Sequence, residues 1–173
     1  KNAGISGKRE ILTAFGADVK GYKGKDTHVD LFVGSELAPR FFGWGIPTGP
    51  NEGRIGVATT LPHKPMPFFR DYFLKGAPSK LLGGAKIINL ISGLIPFGVA
   101  SPSYTDNIIL TGDAAGMAKP TSGGGIYSGL ISADAAFEVA SKALNSGNLS
   151  SANLSEYQAL IVNRIGGELT KGS

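Results

Sequence analysis

Between residues 9 and 60 apolar positions alternate with polar or small ones. Alternation puts Ile11, Thr13, Phe15, Ala17 and Val19 on one face of a first strand. The pattern recurs at Val29, Leu31 and Val33, at Phe42, Trp44 and Ile46, and at Ile55, Val57 and Thr59. Four strands are predicted. Their connections (21–26, 34–39 and 48–53) are short and turn-rich, so an antiparallel meander is the simplest arrangement. A short helix over 68–74 and a further strand over 86–95 complete a predicted sheet of five or more strands.

Beyond residue 100 the texture changes. Ile108, Ile109 and Leu110 read as a short strand running into Thr111-Gly112-Asp113, followed by a loop of small residues. Ile126, Leu130, Phe137 and Leu144 then recur at helical spacing, with Gly129, Ala133, Ala136 and Ala140 between them, which predicts a buried helix over 124–144. A second helix is predicted over 153–169, with Asn153 as its cap, Glu156 reaching back, and Leu154, Tyr157, Ile161 and Ile165 as its apolar face. The fold class is α+β: an antiparallel-sheet region over 1–100, then a strand, a Gly-Asp loop and two helices over 101–173.

Composition narrows the classes. The chain has 173 residues, 42% hydrophobic and 17% charged, enough for a core and against a disordered tail. Cysteine is absent, which excludes disulfides, thiolate metal sites and a cysteine nucleophile and suits a cytoplasmic setting. His28 and His63 are too few for a zinc cluster; the first reads as a strand surface residue, the second as a loop residue able to meet an anionic headgroup. Residues 1–86 hold 13 Lys+Arg against 7 Asp+Glu, while residues 87–173 hold 4 against 6. That asymmetry suits an anionic ligand or an acidic membrane surface, and the scattered lysines argue against nucleic acid. The longest apolar stretch, 87–100, is interrupted and too short to span a bilayer. The start, Lys1-Asn2-Ala3-Gly4, lacks an initiator Met and a signal-peptide core, and a piece of something longer is expected. Asn148-Leu149-Ser150 and Asn153-Leu154-Ser155 match a glycosylation sequon but read better as polar helix starts.

The chemistry concentrates in residues 112–126, Gly-Asp-Ala-Ala-Gly-Met-Ala-Lys-Pro-Thr-Ser-Gly-Gly-Gly-Ile. An Asp just past a strand end can accept hydrogen bonds from ligand hydroxyls, and glycines opening a helix leave its first N–H groups bare for an electron-rich group. On glycines alone, a Gly-rich turn with a solvated Asp is the better account of the pattern. The full string resembles the second flavin-contacting motif of FAD-dependent oxidoreductases related to aromatic-ring hydroxylases. The resemblance implies that Asp113 binds the ribityl chain of FAD. It also implies that Gly123, Gly124, Gly125 and Ile126 place N–H groups by the flavin ring, with Gly112 and Pro120 completing the set. The first FAD motif, G-x-G-x-x-G after a strand, is absent, and the run Gly123-Gly124-Gly125-Ile126-Tyr127-Ser128 does not substitute for it because Ser128 occupies the last glycine position. An N-terminal dinucleotide-binding half is therefore expected to lie outside this chain.

Pro39-Arg40-Phe41-Phe42-Gly43-Trp44-Gly45-Ile46-Pro47 resembles the P-x-x-Y-x-W-x-F-P signature of the geranylgeranyl reductases, with Phe42 in the Tyr place and Ile46 in the Phe place. Both departures keep large apolar side chains, while a role for the phenol hydroxyl is lost. By alternation Phe42, Trp44 and Ile46 share a face, as an isoprenoid-binding wall requires and as an ordinary core face also would. The resemblance implies that Phe42, Trp44, Ile46 and Pro47 bind substrate, in an elongated pocket reaching the flavin edge. It further implies a reductase that hydrogenates geranylgeranyl double bonds of lipids by hydride transfer from reduced flavin, supplied by a reductant such as NAD(P)H or ferredoxin, with peripheral membrane contact. The alternative is an electron-transfer flavoprotein dehydrogenase or an FAD-dependent hydroxylase of the same fold, the isolated chain being inactive. No catalytic acid and no metal ligand can be assigned from these residues.

Overall fold

The computed structural model describes residues 4, 5, 7 and 9–170, so the run Lys1-Asn2-Ala3 lies outside the described residues. The chain divides into two units, Ile11–Leu94 and Lys1–Glu10 with Ile95–Ser173.

The first unit is built on strands β1 (Glu10–Lys20), β2 (Asp30–Val33), β3 (Phe42–Gly49), β4 (Glu52–Thr60) and β5 (Lys86–Phe97). They form one sheet in the order β2-β3-β4-β1-β5. β2, β3 and β4 make the expected antiparallel meander, but β1 pairs with β4, with Phe15 opposite Val57, and not with β2. The segment after β1 explains the difference. Gly21, at φ +94, and Tyr22 both donate their N–H to Asn51 O, at 2.6 and 3.1 Å, which turns the chain across the sheet end. Tyr22 then buries its ring where Gly24, Gly45 and Gly53 have no Cβ to obstruct it, and its hydroxyl donates to Asp30 at 3.2 Å.

One sheet face carries the core. Ala17, Val19, Ile55 and Val57 are buried with Tyr22, Ala38, Phe69, Phe73 and Leu82. The predicted helix at 68–74 is realised earlier, as α1 (Pro65–Phe68), which starts on a proline as first turns allow, and a π-helical turn over Phe69–Phe73. Phe69 meets Phe15 edge-on at 5.3 Å, and Phe73 meets Phe32 in the same way at 5.2 Å. Each such buried aromatic contributes about 1.5–3 kcal/mol. A 3-10 turn over Ala77–Leu81 adds a cover that alternation did not signal. Val29, Leu31 and Val33 are exposed, and His28 lies in the bend before β2 and not on a strand.

The second unit contains the hairpin β6 (Tyr104–Thr105) and β7 (Ile108–Ile109), a 3-10 turn over Gly112–Ala115, and helices α2 (Ile126–Asn145), α3 (Ser151–Leu154) and α4 (Glu156–Thr170). The apolar face expected of the last helix is present: Leu154, Tyr157, Ile161 and Ile165 are buried, with Leu169 one turn on. Its expected start is not. Ser150 sits at the cap position, Asn153 lies inside α3 and donates to Asn148 O at 3.2 Å, and Glu156 pairs with Lys142 at 3.1 Å. The chain breaks its helix around Ser155, whose hydroxyl bonds Ala152 O at 2.7 Å.

α2 also departs from expectation. Leu130 and Phe137 are 67% and 74% exposed, and Ile126 and Leu144 are exposed with them. The buried face is the opposite stripe of Ser128, Ser132, Ala135, Val139 and Ala143, which joins the cluster formed by α4. Small side chains let two helix backbones approach closely, so α4 takes that face and leaves the large residues outward. Arg164 of α4 fastens the pair from the rim, bonding Asp134 at 2.8 Å and Glu138 at 2.7 Å. Among the described residues no helix is long and apolar enough to cross a membrane.

Candidate functional site

In the second unit, β7 delivers the chain through Leu110 and Thr111 into the 3-10 turn. Gly112 adopts φ +52, where a side chain would be strained, and its N–H is held by Ser132 Oγ at 3.1 Å. Gly116, at φ +72, closes the turn by donating to Asp113 O at 3.0 Å, and Met117 N–H bonds Gly112 O at 3.0 Å. Ala115 and Met117 point into the core, which leaves Asp113 exposed on the outer side.

The chain then returns to the helix start. Lys119 accepts from Gly123 N–H at 2.8 Å and donates its own N–H to Gly124 O at 3.0 Å, forming a closed turn around the buried Pro120. Lys119 Nζ pairs with Glu168 and lies 5.2 Å from the centre of the Tyr127 ring. Gly125 is the cap residue of α2 and offers no side chain to its N–H groups. A Cβ on Gly125 would stand 3.1 Å from Asp113 Oδ1, so the carboxylate lies directly beside the helix start. The first turn of α2 contains no acidic residue, and its positive end is open.

These facts refine the expectation of three bare glycine N–H groups. Those of Gly123 and Gly124 are occupied, by Lys119 O and by Ser122 Oγ at 3.3 Å. Among the described residues, the N–H groups of Gly125 and Ile126 have no partner. Gly112, Asp113, Pro120, Gly123, Gly124, Gly125 and Ile126 thus form one continuous turn-and-helix feature, while the Ile126 side chain points into solvent.

Sequence reasoning missed the groups that hold this feature in place. Ser132 bonds Gly112, and Ser128 Oγ bonds Met117 O at 2.5 Å. The buried Tyr157 hydroxyl donates to Leu110 O at 2.8 Å, and burial pushes it up to about 12. Gln158 Oε1 accepts from both the N–H and the hydroxyl of Ser103, each at 2.9 Å. The available signal was Ser128 and Ser132, one turn apart on the face of α2 that continues through Ala135, Val139 and Ala143.

In the first unit, Phe42, Trp44 and Ile46 are half-buried on one face of β3, while Gly43 and Gly45 are buried on the other. The shared face expected from alternation is therefore present, and it is not the core face. Trp44 lies opposite Gly56, which lies opposite Gly16. The indole rests on this glycine floor: a Cβ on Gly56 would be 2.6 Å from Trp44 Cε2. Phe42 meets Trp44 edge-on at 6.3 Å and stacks on Phe41 at 4.3 Å. Pro47 ends the wall next to a bulge in the β3–β4 pairing.

No family model matches the chain. Digeranylgeranylglycerophospholipid reductase 2 of Methanococcoides burtonii is 32% identical over 144 residues, covering 80% of this chain and 34% of that protein. An uncharacterized protein of Methanocaldococcus jannaschii is 33% identical over 139 residues, covering 79% and 35%. This chain therefore spans about a third of the length of these relatives. Among solved structures, a geranylgeranyl bacteriochlorophyll reductase-like protein from Thermoplasma acidophilum superposes with a TM-score of 0.86 at 23% identity, over 99% of this chain and 44% of that one. A flavin-dependent halogenase matches at 0.67 and 17%, over 94% of this chain and 32% of its own. The architecture is thus shared with enzymes of differing chemistry, and the sequence relatives distinguish among them. By sequence the chain corresponds to part of a geranylgeranyl reductase family protein, and it shares its fold with the Thermoplasma acidophilum protein.

Proposed function

We propose that the chain forms part of an FAD-dependent reductase that hydrogenates isoprenoid double bonds of lipids. In this reading Gly112, Asp113, Pro120, Gly123, Gly124, Gly125 and Ile126 hold the cofactor, and Phe42, Trp44, Ile46 and Pro47 hold the prenyl chain. The observation that carries it is the exposed Asp113 carboxylate lying beside Gly125 at the open start of α2.

The residues present fit the group. A ribityl chain offers hydroxyl donors, and a carboxylate is the strong acceptor for them. The N–H groups of Gly125 and Ile126, at the positive end of a 20-residue helix, suit electron-rich oxygens of a flavin ring. A side chain at position 125 would crowd both, which gives the glycine a reason. When bound and reduced, FAD supplies the hydride that an unpolarised double bond requires.

The chain's own residues bind and orient. A prenyl chain presents no hydrogen bonds and must be gripped by area, at about 25 cal/mol per Å². The Trp44 indole, flat on its glycine floor and flanked by Phe42 and Ile46, offers a surface of that kind. The reductant is taken to be NAD(P)H or ferredoxin, and the protein to work in the cytoplasm or at a membrane surface. The exposed stripe of Ile126, Leu130, Phe137 and Leu144 is where we place the dinucleotide-binding half of a family-length protein, since α2 is apolar on both sides.

The test is to reduce the flavin of a family-length protein carrying this sequence with dithionite and to add geranylgeranyl lipid anaerobically. Reoxidation by the lipid in wild type, lost in Trp44→Ala with FAD still bound, is expected. Reoxidation only by quinone or ferredoxin, indifferent to Trp44, would replace this reading with an electron-transfer flavoprotein.

A further inference from the structure

We infer that the β5 edge of the sheet, with the lysines gathered at its start, is a docking surface for an anionic lipid bilayer. The inference rests on the lipid-reductase reading and adds the face that meets the membrane. Asn89 lies close enough to Asp18 for its side chain to help hold that carboxyl below the usual range, behind the larger effect of Arg54, which bonds Asp18 at 2.8 Å and lies opposite Ile46. Odd-numbered positions of β5 therefore share the Trp44 face. By alternation Lys86, Ile88 and Leu90 point to the other side.

Two more lysines join them there. Lys23 N–H donates to Leu81 O at 2.7 Å, which ties it to the 3-10 turn that contains Lys80. Gly21 lies against Ala85, the residue before Lys86. Lys23, Lys80 and Lys86 are all exposed, and among the described residues none has a carboxylate partner. Beside them Ile88 and Leu90 are 61% and 58% exposed, on an edge strand.

Cations bordering exposed branched aliphatics match the layering of a bilayer surface, with ammonium groups at the phosphates and apolar side chains below them. A duplex nucleic acid would engage the lysines but leave Ile88 and Leu90 against phosphate or water. A bilayer satisfies both sets, and it is the medium in which a prenyl lipid is found.

The test is co-sedimentation of the chain with vesicles of saturated phosphatidylglycerol and phosphatidylcholine, compared with phosphatidylcholine alone. Binding to the anionic vesicles is expected to weaken about fivefold for each of Lys23→Gln, Lys80→Gln and Lys86→Gln, or about a hundredfold together. Ile88→Ser with Leu90→Ser should weaken it independently, with the circular dichroism spectrum retained. These vesicles contain no prenyl double bonds, so Trp44→Ala should partition as wild type does. Partitioning unchanged in the triple lysine variant, or lost in Trp44→Ala instead, would overturn the assignment. A lysine-dependent partition would stand even if lipid reduction failed.

Discussion

Gly56→Ala perturbs the proposed substrate wall without touching a wall residue. A methyl group at this position would lie 2.6 Å from Trp44 Cε2 and 3.1 Å from Cη2. Carbon atoms rest at about 3.5–4.0 Å, so the indole must move by about 1 Å. Gly56 is not in the left-handed region, and the cost is therefore contact and not backbone strain. Overpacking of this kind costs about 1–3 kcal/mol. Because Trp44 is only half-buried, its ring has an open side to swing toward. Gly16→Ala should cost more, since its Cβ would meet the backbone of Ile55 and stand 3.0 Å from Gly56 Cα, where nothing can swing away. The assay is urea denaturation followed by tryptophan emission, because Trp44 is the single tryptophan. The expected result is a lower midpoint with an altered native emission maximum for Gly56→Ala, and a larger midpoint loss for Gly16→Ala. A Gly56→Ala protein with wild-type emission and midpoint would refute the placement of the indole on the glycine floor.

Tyr157→Phe removes the hydroxyl that satisfies Leu110 O and should cost about 1–3 kcal/mol in the same urea experiment. Burial raises both Tyr22 and Tyr157 to about 12, above the unfolded value near 10, and Asp30 adds to the shift of Tyr22. Their contribution is therefore complete below about pH 10 and lost as pH rises toward about 12, so the midpoint should fall across that window, and less steeply in Tyr157→Phe. Leu130→Ser with Phe137→Ser, on the exposed side of α2, should change stability by no more than about 0.5 kcal/mol while reducing self-association in light scattering.

What could be read from the chain, and what could not, follows from the range of the forces involved. Alternation located β1, β3 and β4 because each side chain's face is a local property of the strand, and the spacing of Leu154, Tyr157, Ile161 and Ile165 marked a face that burial confirms. The partner of β1 is not local. It depends on Tyr22 finding Gly45 and Gly53 on two other strands, and no pattern within β1 or β2 encodes that. For α2, spacing identified the stripe of large residues but not which side its neighbour covers. The serines and alanines on the opposite side took the contact because they admit a closer helix. The Gly-Asp string was visible as a string. Its geometry was only partly so, since two of the three glycine N–H groups expected to be bare are spent within the turn. Ser132 and Tyr157 escaped notice because a serine or tyrosine in a helix has no signature until its distant acceptor or donor is placed.

The central claim is that Asp113, held beside the open start of α2, binds FAD. The direct measurement is the FAD dissociation constant of a family-length protein carrying this sequence, from flavin fluorescence, for wild type and Asp113→Ala. Asp113 is exposed and supports no other side chain among the described residues, so the variant should fold normally. Loss of a charged acceptor, at about 1.5–3 kcal/mol, predicts affinity weaker by about 10- to 150-fold. An Asp113→Ala protein that keeps its FAD with wild-type affinity would contradict the account.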